Sequence, residues 1–379
     1  MTSDPGMATQ HRQLGPRIGV GVVAVLLHLA IVGYSFKASE NEPQSPRVES
    51  NSKSWADESR CVECHAQAET FWETGHARTL RPIDDPNSLA QLRRMQEFFK
   101  ANHPETSLKI DADKVTAACL QLGTRSEVEL TWCFGSGQHA RTWIGTLTDI
   151  NGATDLLEFR WSAFQESDDF DVTPGQPLSP DPGYFGGLGV LHDPPKTRTC
   201  FACHASAINF EDGSLDESKI HAGVTCQRCH GPREAHIESE GEIREAFWDT
   251  ASQSEIVNRC AECHRRAEEQ LPSSIRPGNP DIVRFQPVGL VQSPCFKNSG
   301  MTCLTCHDPH RPMAAYDSLG DWQCLQCHDA AHPQQTTCSA GHTNDCLECH
   351  MPKVQMDSPL RFTDHWIRVL LERESTHAD

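Results

Sequence analysis

Fourteen of the 18 cysteines stand in one pattern, C-x-x-C-H, repeated seven times along 379 residues. Numbered from the N-terminus, the motifs are Cys61–Cys64–His65, Cys200–Cys203–His204, Cys226–Cys229–His230, Cys260–Cys263–His264, Cys303–Cys306–His307, Cys324–Cys327–His328 and Cys346–Cys349–His350. Two thiols three positions apart can each add to one vinyl group of the same porphyrin. The His that follows then reaches the iron, which is the attachment chemistry of haem c. Structural zinc draws four ligands from paired knuckles and does not call for a His after every second Cys. Redox-active C-x-x-C disulfides leave the His equally unexplained. Seven covalently attached haem c groups are therefore expected, with the seven motif histidines as proximal iron ligands.

Composition fits this reading. The apolar fraction is 37%, with 25 Gly and 24 Pro, thin for a chain of this length. Flat apolar macrocycles would supply the missing core. The net charge of −19 excludes a nucleic-acid binder, which needs clustered Lys and Arg against phosphate. It also speaks against adhesion to an anionic lipid surface.

Residues 18–36 form a 19-residue run interrupted only by His28 among strongly polar side chains, near the minimum for a membrane-spanning helix. Arg12 and Arg17 precede it, and Glu40 and Glu42 follow. This asymmetry predicts a cytoplasmic tail over 1–17, an uncleaved transmembrane anchor over 18–36 and a polar linker over 37–54. A cleaved signal peptide is the competing reading. Either way the remainder, 55–379, is exported to the periplasm or its equivalent, where haem c is attached.

The motifs are unevenly spread. Cys61 and Cys200 are 139 residues apart, and the other six motifs crowd between Cys200 and His350. Ordinary fold signals concentrate in the gap. Leu89, Leu92, Met95 and Phe99 predict a helix with Asn87 or Ser88 as its cap. Val128, Leu130 and Trp132 alternate with polar residues, as do Leu157, Phe159 and Trp161, and a third strand is expected around Thr142–Leu147. Asp171–Lys196, rich in Pro and Gly, reads as a wrapping loop. The expected fold is mainly α and coil packed on haems, with one N-terminal transmembrane helix and a small β-rich insertion and loop over about 104–196. A final amphipathic helix is expected over Asp364–Arg373.

Each iron has a sixth position. Outside the motifs, the tail, the anchor and the C-terminus stand His76, His103, His139, His192, His221, His236, His310, His332, His342 and His365. Seven bis-His irons, the arrangement of low-potential transfer, leave three spare. The best-placed distal candidates are His76, His139, His236, His310, His342 and His365. His310 lies three residues after His307, and His332 four after His328. Such neighbours share one side of a macrocycle, so they would serve an adjacent haem. Cys119 with Cys133, and Cys295 with Cys338, are candidate disulfides.

Several strings carry a family resemblance: WETGHA with His76, GSGQHARTW with His139, GVTCQRCHGP followed by His236, CLTCHDPH with His310, and CLECHMPK followed by Asp364–His365. In this order they resemble the exported multihaem cytochromes c related to the nitrifier tetrahaem cytochrome and hydroxylamine oxidoreductase. The resemblance covers about 59–369. It implies a haem array with trailing histidines as distal ligands. It carries over no catalytic residue. All seven motifs end in His where family nitrite reductases use a Lys in one, and Tyr184 and Tyr316 sit in no recognisable cross-link context.

The leading expectation is electron transfer through closely packed, mostly bis-His haems between redox protein partners, one of them a membrane quinol oxidoreductase. The rival is an oxidoreductase with one open haem acting on a small nitrogen or sulfur compound. Arg78, Arg141 and Arg284 are its candidate anion-holding side chains. A redox-inert haem scaffold is the third reading.

Overall fold

Leu89, Leu92, Met95 and Phe99 line the buried face of a helix, α1 (Pro86–Asn102). Its cap is Asp85, whose side chain accepts from the Ser88 backbone N–H at 2.9 Å, rather than Asn87 or Ser88. Pro86 then occupies the first turn, where its missing N–H costs nothing. The computed structural model describes residues 55–369 except 67, 112–113, 181–182, 184, 245, 314–320, 329–337, 339–343 and 357.

Strand β1 (Leu80–Pro82) precedes α1. A three-stranded antiparallel meander follows, β2 (Thr106–Ile110), β3 (Val115–Gln121) and β4 (Thr124–Leu130). Five more strands complete a second sheet with β1: β5 (Trp132–Phe134), β6 (Ala140–Thr148), β7 (Thr154–Phe164), β8 (Asp169–Val172) and β9 (Gly189–His192). Its order is β1-β5-β6-β7-β8, with β9 also paired to β7. The strands expected around 128–132, 142–147 and 157–161 fall in β4 and β5, β6, and β7. The 171–196 stretch is not all loop, since it closes on β9 and opens the next helix.

One core lies between α1, the meander and one side of the larger sheet, around Met95, Phe99, Trp143, Leu157 and Phe159. The Trp143 indole donates to Ser88 Oγ at 2.8 Å, which satisfies the buried polar end of a fully buried ring. A second core joins Leu80, Ile144 and Leu156 to Phe201, Ala202, Ala205, Ala207 and Leu215. Phe201 and Ala202 lie inside motif 2. The β-rich segment is therefore the wall on which motif 2 is built, not a side insertion.

Motif 2 ends helix α2 (Pro194–His204), capped by Asp193 on Lys196 N. It runs straight into a hairpin, β10 (Ala205–Glu211) and β11 (Ser214–Ala222). Asp212 and Gly213 turn it, with φ of +50° and +82°, the left-handed pair that a two-residue hairpin loop requires. Glu217 on β11 accepts from the Trp132 indole at 2.7 Å and from Thr146 Oγ1 at 2.6 Å, locking the hairpin to the sheet. Motif 4 ends α3 (Gln253–His264), which carries a full capping box between Ser252 and Glu255. Motif 6 ends α4 (Asp321–His328). A last hairpin, β12 (Lys353–Gln355) and β13 (Arg361–Thr363), follows motif 7.

The expectation of a mainly α and coil body is thus corrected: 34% of the described residues are helical and 27% are in strands. The low apolar fraction does not betray the strands, because one face of each is covered by neighbouring strands, helices or motif residues. No helix forms over 364–369; these residues have no regular structure and are held by local and tertiary bonds, and 370–373 lie outside the described residues. Among the described residues no helix is long and apolar enough to cross a membrane. The expected anchor over 18–36 lies outside them.

Candidate functional site

Four motif histidines each meet a second imidazole from elsewhere in the chain. His65 and His236 have ring centroids 6.3 Å apart with planes 20° from parallel. His264 and His76 are 6.2 Å apart at 84°, His230 and His310 6.0 Å at 22°, and His307 and His365 6.3 Å at 30°. Two imidazoles joined through one metal at about 2 Å per bond, each with a ring centre about 1.1 Å behind its nitrogen, would stand about 6.2 Å apart. The four spacings match that figure.

The other ring nitrogens are anchored in a matching way. His236 Nδ1 bonds the Ile243 carbonyl at 2.8 Å, His264 Nδ1 the Gln286 side-chain oxygen at 3.0 Å, and His365 Nδ1 the Thr363 carbonyl at 2.9 Å. His310 Nδ1 bonds the Asp308 carboxylate at 2.9 Å. An Nδ1–H donated to oxygen fixes the tautomer and leaves Nε2 as the metal-binding lone pair. Burial and neighbouring imidazoles push the pKa of His76 and of His365 down to about 4. Both are neutral at pH 7, the state that ligates iron. The donor set therefore fits haem c.

His204 of motif 2 differs. Its Nδ1 bonds the Thr79 carbonyl at 3.0 Å, but its ring neighbour is Phe134, stacked 4.5 Å away and 5° from parallel. His350 of motif 7 bonds the Arg368 carbonyl through Nδ1 at 2.7 Å. His139 lies against Phe362 at 4.7 Å, beside the hairpin that follows motif 7, and is not brought to a motif histidine. His332 and His342 lie outside the described residues. The remaining histidines have other neighbours: His103 packs on Trp161 at 4.3 Å, His192 lies 3.5 Å from Glu158, and His221 meets Trp55 at 5.2 Å.

The motifs are also close to one another. Cys61 lies near Cys226, Cys203 near Cys263, Cys260 near Cys303 and Cys324 near Cys346. Cys229 lies near Cys260 and Cys263, and Cys306 near Cys324. Neighbouring motifs therefore run 1–3–4–5–6–7, with motif 2 attached at motif 4. The residues between the cysteines serve as joints. Gln227 of motif 3, 2% exposed, accepts from Ala56 N and donates to Ala56 O, both at 2.9 Å, ahead of motif 1. Arg228 pairs with Glu262 of motif 4 at 3.1 Å.

One short segment serves three motifs. His76 faces His264, its carbonyl accepts from Val224 N at 2.9 Å just before motif 3, and Thr79 O holds His204. Gly223 lets this segment through: its φ is +81°, and a Cβ there would collide with the Ala77 carbonyl. At the C-terminal end, Asp364, 4% exposed, accepts from Gly278 N and Arg368 Nη1. Ser293 Oγ donates to the His365 carbonyl. These bonds hold the segment after β13 so that His365 faces His307. The expected disulfides are not formed. Cys119 accepts from Thr106 Oγ1 at 3.8 Å, and Cys133, its pKa pushed up by burial to about 11, is an inert buried thiol. Cys295 and Cys338 are free.

Motif 7 is capped from motif 6. The Asp321 carboxylate accepts from Asp345 N at 2.8 Å and Cys346 N at 2.9 Å, which lowers its pKa below the usual carboxylate range. A depressed folded pKa gives stability above the unfolded value of about 3.9, lost as pH falls through the lower folded value. We expect the protection of the Cys346 amide, its exchange relative to the intrinsic rate at each pH, to hold from neutral pH to about 4 and to fall below it. Asp321→Ala should lower it already at pH 7; equal protection in the two proteins at pH 7 would show that the cap carries nothing.

Residues 188–231, which hold motifs 2 and 3, match the family model described as cytochrome c554 and c-prime. The dissimilatory sulfite reductase MccA of Wolinella succinogenes is 23% identical over 325 residues, covering 66% of this chain. The chain spans 40% of the length of that relative. No solved structure matches. With the motifs, these similarities support a multihaem c-type cytochrome that binds haem c covalently and whose haem domain is extracytoplasmic.

Proposed function

We propose that the chain is a seven-haem electron-transfer protein whose sites are laced together by distal histidines borrowed from other motifs. The observation that carries this is the four imidazole pairs at 6.0 to 6.3 Å. In this reading His236, His76, His310 and His365 complete the sites of motifs 1, 4, 3 and 5. His332 and His342, outside the described residues, are left as candidates for motifs 2, 6 and 7. Haem c supplies a one-electron couple, tuned by its axial ligands and burial. The chain's part is to hold neighbouring sites in the order 1–3–4–5–6–7 with motif 2 as a side branch, and to exclude water with the joints at Gln227 and Arg228. The net charge of −19 favours redox partners that present a basic face.

A second reading has one observation in its favour. At His204 the ring contact that an imidazole makes elsewhere is made by Phe134. A side branch ending in a site where, among the described residues, Phe134 stands in place of a second histidine suits conversion of a small sulfur compound, in line with the similarity to a sulfite reductase. Low-temperature EPR of the oxidised protein, calibrated by haem content, separates the two. Signals that are low-spin throughout, with seven haems per chain, are expected of the electron-transfer reading. One high-spin centre in seven moves the assignment to the second reading and to motif 2.

A further inference from the structure

Among the distal histidines of the paired sites, His310 stands apart by bonding a charged group through Nδ1. His236 and His365 bond backbone carbonyls. His310 bonds the Asp308 carboxylate at 2.9 Å, and the same oxygen accepts the His310 backbone N–H at 3.0 Å. These two bonds make a closed local turn that fixes both the ring and its partner. Both side chains are 44% exposed, so water reaches the pair.

A carboxylate on the far nitrogen pulls the N–H proton and makes the imidazole a stronger donor to the metal. Stronger donation stabilises the ferric over the ferrous state. We infer that Asp308 is a positioning residue that lowers the reduction potential of the site formed by His230 and His310 below that of the other paired sites. This rests on the laced-array reading above and deepens it. Motif 3 lies between motifs 1 and 4 in the order of neighbours, so the depressed site would sit within the path rather than at its end.

The test is a spectroelectrochemical titration of the full haem-loaded protein as wild type, Asp308→Asn, Asp308→Glu and His310→Met. Asn keeps the shape and the turn but removes the charge. One one-electron component is expected to move upward in Asp308→Asn, by about tenfold in its reduction equilibrium, equal to 59 mV. Asp308→Glu should return it toward wild type. His310→Met, which exchanges the ligand itself, should raise the same component further. Unchanged components in Asp308→Asn, or movement of a component that His310→Met leaves alone, overturns the inference. If instead His310→Met moves no component at all, His310 is not a ligand, and the laced-array reading fails with it.

Discussion

In oxidised His76→Ala protein, one low-spin ferric centre becomes high-spin while covalently bound haem stays at the wild-type amount. The reasoning starts from the segment that carries His76. Its ring faces His264 at 6.2 Å, and the imidazoles of His264 and His307 with close packing keep its pKa at about 4. At neutral pH it is an uncharged base with a free lone pair. Removing the ring deletes one ligand and leaves Cys260, Cys263 and His264 in place, so attachment survives. The backbone roles survive as well, since Val224 N and Thr79 Oγ1 bond the His76 carbonyl and not its side chain. A merely structural histidine would leave the spin state alone. His76→Met provides the matching check: it should restore a low-spin centre at a raised potential. EPR on the three proteins at equal haem content decides the matter, and a fully low-spin spectrum for His76→Ala rejects His76 as a ligand.

The largest stability effect is expected at Phe201. This ring sits between the two cysteines of motif 2 and is fully buried. It packs edge-on against Phe134 at 5.3 Å and Trp132 at 6.4 Å. Truncating a buried Phe removes its transfer free energy and leaves a cavity, at a cost of about 3–5 kcal/mol. Phe201→Ala should lower the thermal midpoint by roughly 10 °C. It should also loosen Phe134, which stacks on His204, so the Soret circular dichroism should change before the far-ultraviolet signal does. A variant that melts with the wild type would mean that the sheet and motif 2 fold independently.

The covalent sites are the most legible part of the sequence, because five consecutive residues hold all the chemistry. Helix α1 and strands β4, β6 and β7 are legible for the same kind of reason: their periodicity is local. The distal pairs are not. His76 and His264, or His307 and His365, are far apart in sequence, and only tertiary structure brings them to one axis. Shared side on one helical turn explains why His310 does not close on His307, but it does not name His230. The β10–β11 hairpin carried a readable signal in Asp212–Gly213, hidden by its position directly after a haem motif. The helix expected over 364–373 does not form over 364–369, where Asp364 bonds Gly278 N, Arg368 and Trp366 N. The Cys119–Cys133 disulfide was read from proximity in sequence, whereas the two thiols face different neighbours.

Borrowed ligands impose an order on maturation. In the proposed array the site of motif 1 waits for His236, that of motif 3 for His310, and that of motif 5 for His365, while His76 is exported long before motif 4 arrives to use it. Each newly delivered stretch of chain therefore closes a site opened earlier, like stitches drawn tight from behind. Coordination at motif 5 is the last of the four to close, because Asp364, Ser293 and Arg368 must first hold the segment that bears His365. A translocated chain cut short of that segment would carry its full set of thioether bonds up to the cut and still leave an iron half-dressed and open to peroxide. In the proposed array, residues 364–368 would be a late checkpoint for the sites attached before them.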